Sequence, residues 1–538
     1  MPPQRKLTPP ALEELCMSLI LTHLEQEINL VQHIRTYQTT SLILRRRGIE
    51  AEALQAELAT QFDSLPPLMG EIVRQSITNR LFKNASITGE PRILVGMLDV
   101  ILNKDVRNLN LSDPKIRLSR KLWPIILKKC TGLERFELGA NMLTTKKLPS
   151  FQSFVSSLAK SCPYLTELIL KEAVIGSGAL STIGYRCQNL RVLDISGSKV
   201  TCIDMLHLCL PLSHYTQPLD SLLEKTEFAN KHALCKTMEI LCLGNTQVKV
   251  KGAAFVLRVL PYLTSLGNFV FTAAGLKRIY GIKTRPKVGS FLKQVFYRGP
   301  SNVKLKVIAN CCPNLENLFL GSEFERRVEY QVWNAFEKVR TLTLENIVPE
   351  DITAGMKHFS QLVELQLASG GVDLGLVAQC CPLLEKLIVT AEPLRACTIR
   401  ASPIFPKLKD IKITCPVSLE CGSVLLRSQN VIHIDIVRIR DLTDSIFSLW
   451  LRRNPMTYLK TLLLGYVELT RKSAELLLDT CPQLTRLGYL GSWDIRSWEC
   501  RRLKERVVQE NYDVHLLLYS RSGISARNIN FPDLSLCL

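Results

Sequence analysis

The chain has 538 residues, 46% of them hydrophobic and 22% charged, with a net charge of +19. That apolar content excludes wholesale disorder, and the length suits several ordinary domains or one long repeat array. The excess of positive charge favours acidic partners in general, whether acidic proteins, nucleic acid or a membrane surface, without choosing among them.

The opening MPPQRKLTPP is not followed by the apolar core and small-residue cleavage site of a secretory leader. No uninterrupted apolar run reaches the roughly 18 residues of a membrane span. The expectation is a cytoplasmic and/or nuclear protein with no membrane partner, whose eighteen cysteines are reduced thiols. No Cys-x-x-Cys occurs, so neither metal nor cofactor is expected.

Residues 1–38 have the pattern of a helix. Thr8 can cap it, and Pro9 suits the first helical position, where its missing N–H needs no partner. Leu12, Leu15, Cys16, Leu19, Ile20 and Leu24 recur at i, i+3, i+4 spacing and form one stripe. Residues 49–62 predict a second helix. Leu65-Pro66-Pro67-Leu68 follows, and Met69, Ile72 and Val73 open a third. The run Arg45-Arg46-Arg47 has the character of a solvated patch. The predicted divisions are a helical region over 1–95, repeats over 96–500, and a C-terminal cap and tail over 501–538.

The repeat is plainest from Cys162 to Leu193. Leu165, Leu168 and Leu170 give L-x-x-L-x-L, a short strand with alternate side chains inward. A Gly-Ser-Gly turn at Gly176–Gly178 follows, then Leu180 and Ile183 at helical spacing, and Leu190, Leu193 and Ile195 begin again. Such a unit of about 25 residues is a leucine-rich repeat, and it buries its apolar face only against stacked neighbours. Aligning the first apolar residue of each strand gives Val106, Leu133, Leu165, Leu190, Met238, Leu263, Leu292, Leu315, Val339, Leu362, Leu384, Leu408, Val431, Leu459 and Leu484. The weakest of these strands are at Val106, Leu263 and Leu484. The interval from Leu190 to Met238 is 48 residues and holds either a degenerate repeat or a loop through Pro211–Pro218.

Cys130, Cys162, Cys187, Cys312, Cys381 and Cys481 each stand three residues before a repeat's first leucine, a packing position for a small hydrophobe. In Cys312-Pro313, Cys381-Pro382 and Cys481-Pro482 the proline stops the preceding helix. This pattern resembles the cysteine-containing leucine-rich repeats of many ubiquitin-ligase substrate receptors. The resemblance implies an α/β solenoid, a horseshoe with a parallel sheet on its concave side.

Leu12-x-x-x-Cys16-x-x-x-Ile20 resembles the elongin BC-box, in which an amphipathic helix fills a hydrophobic pocket on elongin C. Leu65-Pro66, with Met69 and Val73 four and eight residues on, resembles the cullin box that follows it. TPPALEELCMSLILTHLEQ is similar to the opening of the Zyg-eleven family of cullin substrate receptors, a likeness confined to about the first 75 residues. It implies Leu12, Cys16, Ile20, Leu65 and Pro66 as adaptor-binding residues, with elongin C, elongin B and a cullin as partners and an unknown protein substrate. Members of that family continue into an armadillo-like domain that reads substrate N-termini. This sequence does not, so that substrate class is not carried over.

Three other readings stay open. Leu65-Pro66-Pro67-Leu68 followed by Ile72 also resembles the start of an F-box, which docks a Skp adaptor. The N-terminal helix could equally be a plain cap on the first repeat, leaving a scaffold with no ligase role. Lys277, Arg278, Lys283, Arg285, Lys287 and Arg298, interleaved with Tyr280 and Tyr297, invite nucleic acid, although a charge run in a repeat loop is usually a solvated face. No nucleophile and base can be paired, and the Gly-Ser-Gly is a repeat turn, so the expectation is a non-enzyme.

In each strand the residue between the last two apolar positions points to the concave side by alternation. That row includes Ile169, Asp194, Cys242, Phe296, Phe319, Thr343, Gln366, Ile388, Lys412, Asp435 and Leu463. Phe296, Phe319 and Ile388 are the substrate-binding candidates. The two phenylalanines are expected side by side as exposed anchors, unless an insertion or the C-terminal tail covers them.

Overall fold

The computed structural model describes residues 98, 102–112, 122–139, 148–210, 234–281, 291–390 and 405–518. Leu12, Cys16, Ile20, Leu65 and Pro66 lie outside the described residues, as do Lys283, Arg285 and Lys287. Fifteen short strands are joined by helices in strict alternation for most of the described chain. Every strand pairing among them is parallel. This is the α/β leucine-rich-repeat fold.

The chain divides into two compact units between Ile279 and Tyr280. The first holds a five-stranded sheet in sequence order: β1 (Asn108–Leu111), β2 (Arg135–Leu138), β3 (Glu167–Leu170), β4 (Val192–Asp194) and β5 (Ile240–Cys242). β4 bonds directly to β5 through Val192, Leu193 and Asp194, so no extra strand enters the ladder across the 48-residue interval. The second unit holds ten strands, also in sequence order: β6 (Gln294–Arg298), β7 (Asn317–Arg326), β8 (Thr341–Ile347), β9 (Glu364–Ala368), β10 (Lys386–Val389), β11 (Asp410–Val417), β12 (His433–Ile439), β13 (Thr461–Leu464), β14 (Arg486–Gly488) and β15 (His515–Leu517).

Fourteen of the fifteen strands begin two residues after an aligned apolar position, from Val106 and Asn108 to Leu484 and Arg486. That apolar residue turns under the strand: Leu133, Leu165 and Leu190 are fully buried. Leu263 is the exception. Ser265 makes one isolated bridge to Ile240, and then Gly267, at φ +61°, turns the chain away. The fifteenth strand, β15, has no counterpart in the repeat alignment.

In the first unit one apolar core joins strand residues such as Leu168, Leu170 and Leu193 to helix residues such as Leu180 and Ile183 from Ser177–Arg186. Trp123 stacks on Phe154 with ring centroids 4.2 Å apart, which ties helix Leu122–Lys129 to helix Leu148–Ser161. Carboxylates staple successive repeats. Asp204 accepts from Ser177 Oγ at 2.6 Å, and Asp351 accepts from the Val328 N–H at 2.7 Å. Asp444 takes the Thr470 N–H at 2.9 Å and the Thr470 and Ser473 hydroxyls at 2.6 Å each. Each bond ties a donor at or near the start of a helix, or on the chain leading into it, to the neighbouring repeat.

The cysteines of the repeat frame are free thiols buried at the ends of helices: Cys130, Cys162, Cys187, Cys312, Cys381 and Cys481. The backbone N–H of Cys187 closes its helix on the Ile183 carbonyl, and those of Cys312, Cys381 and Cys481 close theirs on the carbonyls of Ile308, Val377 and Leu477. Burial pushes the Cys130, Cys187 and Cys381 thiols up to about 12. At these positions the sulfur packs as a small hydrophobe.

Candidate binding face

Strand alternation splits each strand's side chains between two faces. One set, including Leu318 and Leu320 on β7, Leu365 and Leu367 on β9, and Ile434 and Ile436 on β12, is at most 2% exposed and belongs to the core. The other set lies on the opposite face. Register there is unbroken: Phe296 pairs with Phe319, and Thr343, Gln366, Ile388, Lys412, Asp435 and Leu463 follow in one row. The three substrate-binding candidates therefore share a face. Phe296 and Phe319 are neighbours, stacked at 4.0 Å between centroids with their planes 15° apart, and Thr343 and Gln366 separate them from Ile388.

The two phenylalanines, expected as exposed anchors unless covered, are buried, and so is Ile388. Phe296 is 9% exposed, Phe319 5% and Ile388 7%. Alternation sets the direction of a side chain and says nothing of what lies beside it. Here each ring covers a face of the other. Phe319 also leans along its strand over Gly321, where an added Cβ would come within 2.6 Å of the ring. Thr343 and Gln366 are buried with them, and the Gln366 amide nitrogen has no hydrogen-bond partner among the described residues. The exposed aromatic of β7 is Phe324, 74% exposed, in the stretch where register with β8 shifts between Gly321 and Arg326. It falls outside the L-x-x-L-x-L frame, so the repeat pattern did not point to it.

The same row opens at β11. Lys412 is exposed, and Asp435 and Leu463 are half-buried. In the row two residues earlier, His433, Arg486 and His515 are exposed, and Thr461 stands between His433 and Arg486 in register. The open end of the sheet thus places Lys412, His433, Arg486 and His515 on one face with Leu463, and Asp410 and Asp435 stand in the same two rows. Elsewhere charge is matched between strands: Lys386 pairs with Glu364 at 2.8 Å and Arg298 with Glu345 at 3.2 Å.

In the first unit the equivalent row runs Glu137, Ile169, Asp194, Cys242. Ile169, Asp194 and Cys242 are all buried. Asp194 is 2% exposed, accepts from the Ser196 N–H at 2.9 Å and its hydroxyl at 2.6 Å, and has the Lys171 ammonium 3.9 Å away. Among the described residues no cluster of three or more His, Cys, Asp or Glu side chains could hold a metal ion. No described helix is long and apolar enough to cross a membrane.

No protein-family model matches the chain, and no curated protein matches it in sequence. Solved structures that resemble it include the yeast Rad7–Elc1 complex, at 14% identity and TM-score 0.41 over 86% of this chain and 93% of that one. A leucine-rich-repeat protein of Leptospira interrogans overlaps at 14% identity and TM-score 0.36, covering 79% of this chain and 92% of that one. A complex of TLR13 with single-stranded RNA overlaps at 13% identity and TM-score 0.34, covering 77% and 70%. Overlaps of this extent carry no functional argument, and the adaptor-box resemblance rests on the quoted residues alone.

Proposed function

We propose that the chain is a non-catalytic binding scaffold of the cytoplasm or nucleus that serves as substrate receptor of a cullin ubiquitin ligase. In this reading the open end of the ten-stranded sheet holds an acidic protein target, and the segment around Leu12, Cys16 and Ile20 docks elongin C. The observation that carries the target half is the placing of Lys412, His433, Arg486 and His515 on one face with Leu463. Basic groups beside a partly exposed apolar side chain suit an acidic and apolar peptide segment. The ligase half is supported by sequence spacing alone: Leu12, Cys16 and Ile20 stand at successive i, i+4 positions, the spacing by which an amphipathic helix presents one face to a partner.

The test is affinity purification with mass spectrometry on the wild type and on Leu12→Ser with Cys16→Ser, with the melting temperature of each. The expected result is recovery of elongin C, elongin B and a cullin by the wild type, and their loss from a variant that melts as the wild type does. A lowered melting temperature with no elongin C recovered even by the wild type would overturn the ligase half. Recovery of a Skp adaptor, lost on Leu65→Ala with Pro66→Ala, would move the docking to an F-box. For the target half, Lys412→Glu with Arg486→Glu should abolish capture of the same substrates.

A further inference from the structure

The ten-stranded sheet ends at β15, which bonds to β14 and to no other described strand. Beside that edge lies a groove of about 380 Å³ between the strand and helix Ser497–Gln509. Val507, Val508, Val514, Leu516 and Leu518 line it together with Lys504 and His515. Val508 is 77% exposed, the most exposed large hydrophobic residue in the described chain. An open strand edge beside an apolar groove is a place where another strand adds.

The sequence supplies a matching segment close by. After Leu518 come fifteen residues, 519–533, and then Leu534-Ser535-Leu536-Cys537-Leu538. Leucine at every second position is the period of a half-buried strand. A spacer of about a dozen residues is the minimum for a crossover between parallel strands. Tethering also gives such a segment an effective concentration in about the millimolar range, which favours it over free peptides.

We propose that residues 534–538 occupy this groove, adding along the free edge of β15 with Leu534, Leu536 and Leu538 turned toward Val508 and Leu516. The segment then closes the apolar end of the repeat array, which stacked repeats need in order to stay soluble. This proposal is independent of the ligase reading, and its test involves neither adaptor nor target.

The experiment uses the full chain carrying V508C and L536C together, with V508C alone as control, under mild oxidation by diamide. The expected product is an intramolecular disulfide mapped between positions 508 and 536 only in the double variant. Hydrogen exchange on the otherwise wild-type chain provides the second measurement. Amides of residues 515–518 should exchange about tenfold or more faster in Leu534→Asp with Leu536→Asp than in the wild type. A covalent dimer in place of the intramolecular bond would assign the groove to a second copy and overturn the proposal. Absence of the disulfide together with unchanged exchange at β15 would also overturn it.

Discussion

Arg298 on β6 and Glu345 on β8 form an ion pair across the intervening strand, above Gly321 of β7. Glycine leaves the space that the pair spans. A Cβ there would lie 2.6 Å from the Phe319 ring and 2.7 Å from Glu345 Oε2. The row in which the aromatic stack sits and the row in which the ion pair sits are therefore coupled through one missing side chain.

Gly321→Ala is expected to destabilise the second unit by about 1–3 kcal/mol, because the ring and the carboxylate must both shift. Arg298→Ala, which removes a half-exposed partner, should cost no more than about 1 kcal/mol. Urea denaturation of the two variants checks the order; equal effects would mean that the ion pair, and not the crowding, matters at this position.

Phe319→Ala should lower stability by roughly 3–5 kcal/mol, the range for a large buried aromatic, and Phe296→Ala by a similar amount. Both rings are buried against each other, so the expected readout is a lower melting temperature. Wild-type stability of both variants, with target capture lost, would return the pair to the role of exposed anchors.

Gln366 is 4% exposed, and its amide nitrogen lacks a partner among the described residues. A buried unpaired polar group costs about 1–3 kcal/mol. Gln366→Met keeps the length of the side chain and removes that cost, so the variant should be as stable as the wild type or more so in urea. A clear loss of stability would show that the amide makes a bond worth keeping.

Burial pushes the Asp444 carboxyl up, but hydrogen bonds from Ser473 and from the Thr470 hydroxyl and N–H, with Lys472 nearby, outweigh it and hold the group below the ordinary carboxylate value. A depressed native value means that the unfolded chain takes up the proton first as pH falls. The stabilisation is present above the unfolded value, about 3.9, and is lost as the pH drops through the native one. Asp444→Asn should lower stability at neutral pH and flatten the acid limb of a stability–pH curve.

The thiols follow the opposite sign. Burial raises Cys162, Cys311 and Cys481 to about 11, as it raises Cys130, Cys187 and Cys381 to about 12. Unfolded thiols ionise first as pH rises, so this contribution is intact below roughly 8.5 and erodes above it. Peptide mapping after maleimide treatment should find these six cysteines unlabelled in the native chain and labelled in urea. Native labelling of Cys162 or Cys187 would contradict their packing role.

The strands were legible because their code is local. Alternation over L-x-x-L-x-L, a preceding Cys-Pro or Cys, and a turn into the next helix all lie within one repeat, and the strands begin where that frame puts them. Leu263 shows the limit: its frame holds for one bridge until Gly267 takes a positive φ. β15 was not legible, since no complete L-x-x-L-x-L precedes it and β14 supplies the partner that makes it a strand.

The tertiary structure alone decided which residues of a row meet solvent. Phe296 and Lys412 occupy the same register position, yet one is buried and the other exposed. Strand direction follows from the pleat of each chain segment. Exposure depends on neighbours 23 and more residues away, on the stacking of one ring against the next, and on the gap at Gly321. The division at Ile279 and Tyr280 and the direct pairing of β4 with β5 are likewise long-range choices. They arise from which strands find partners, and no single repeat encodes that.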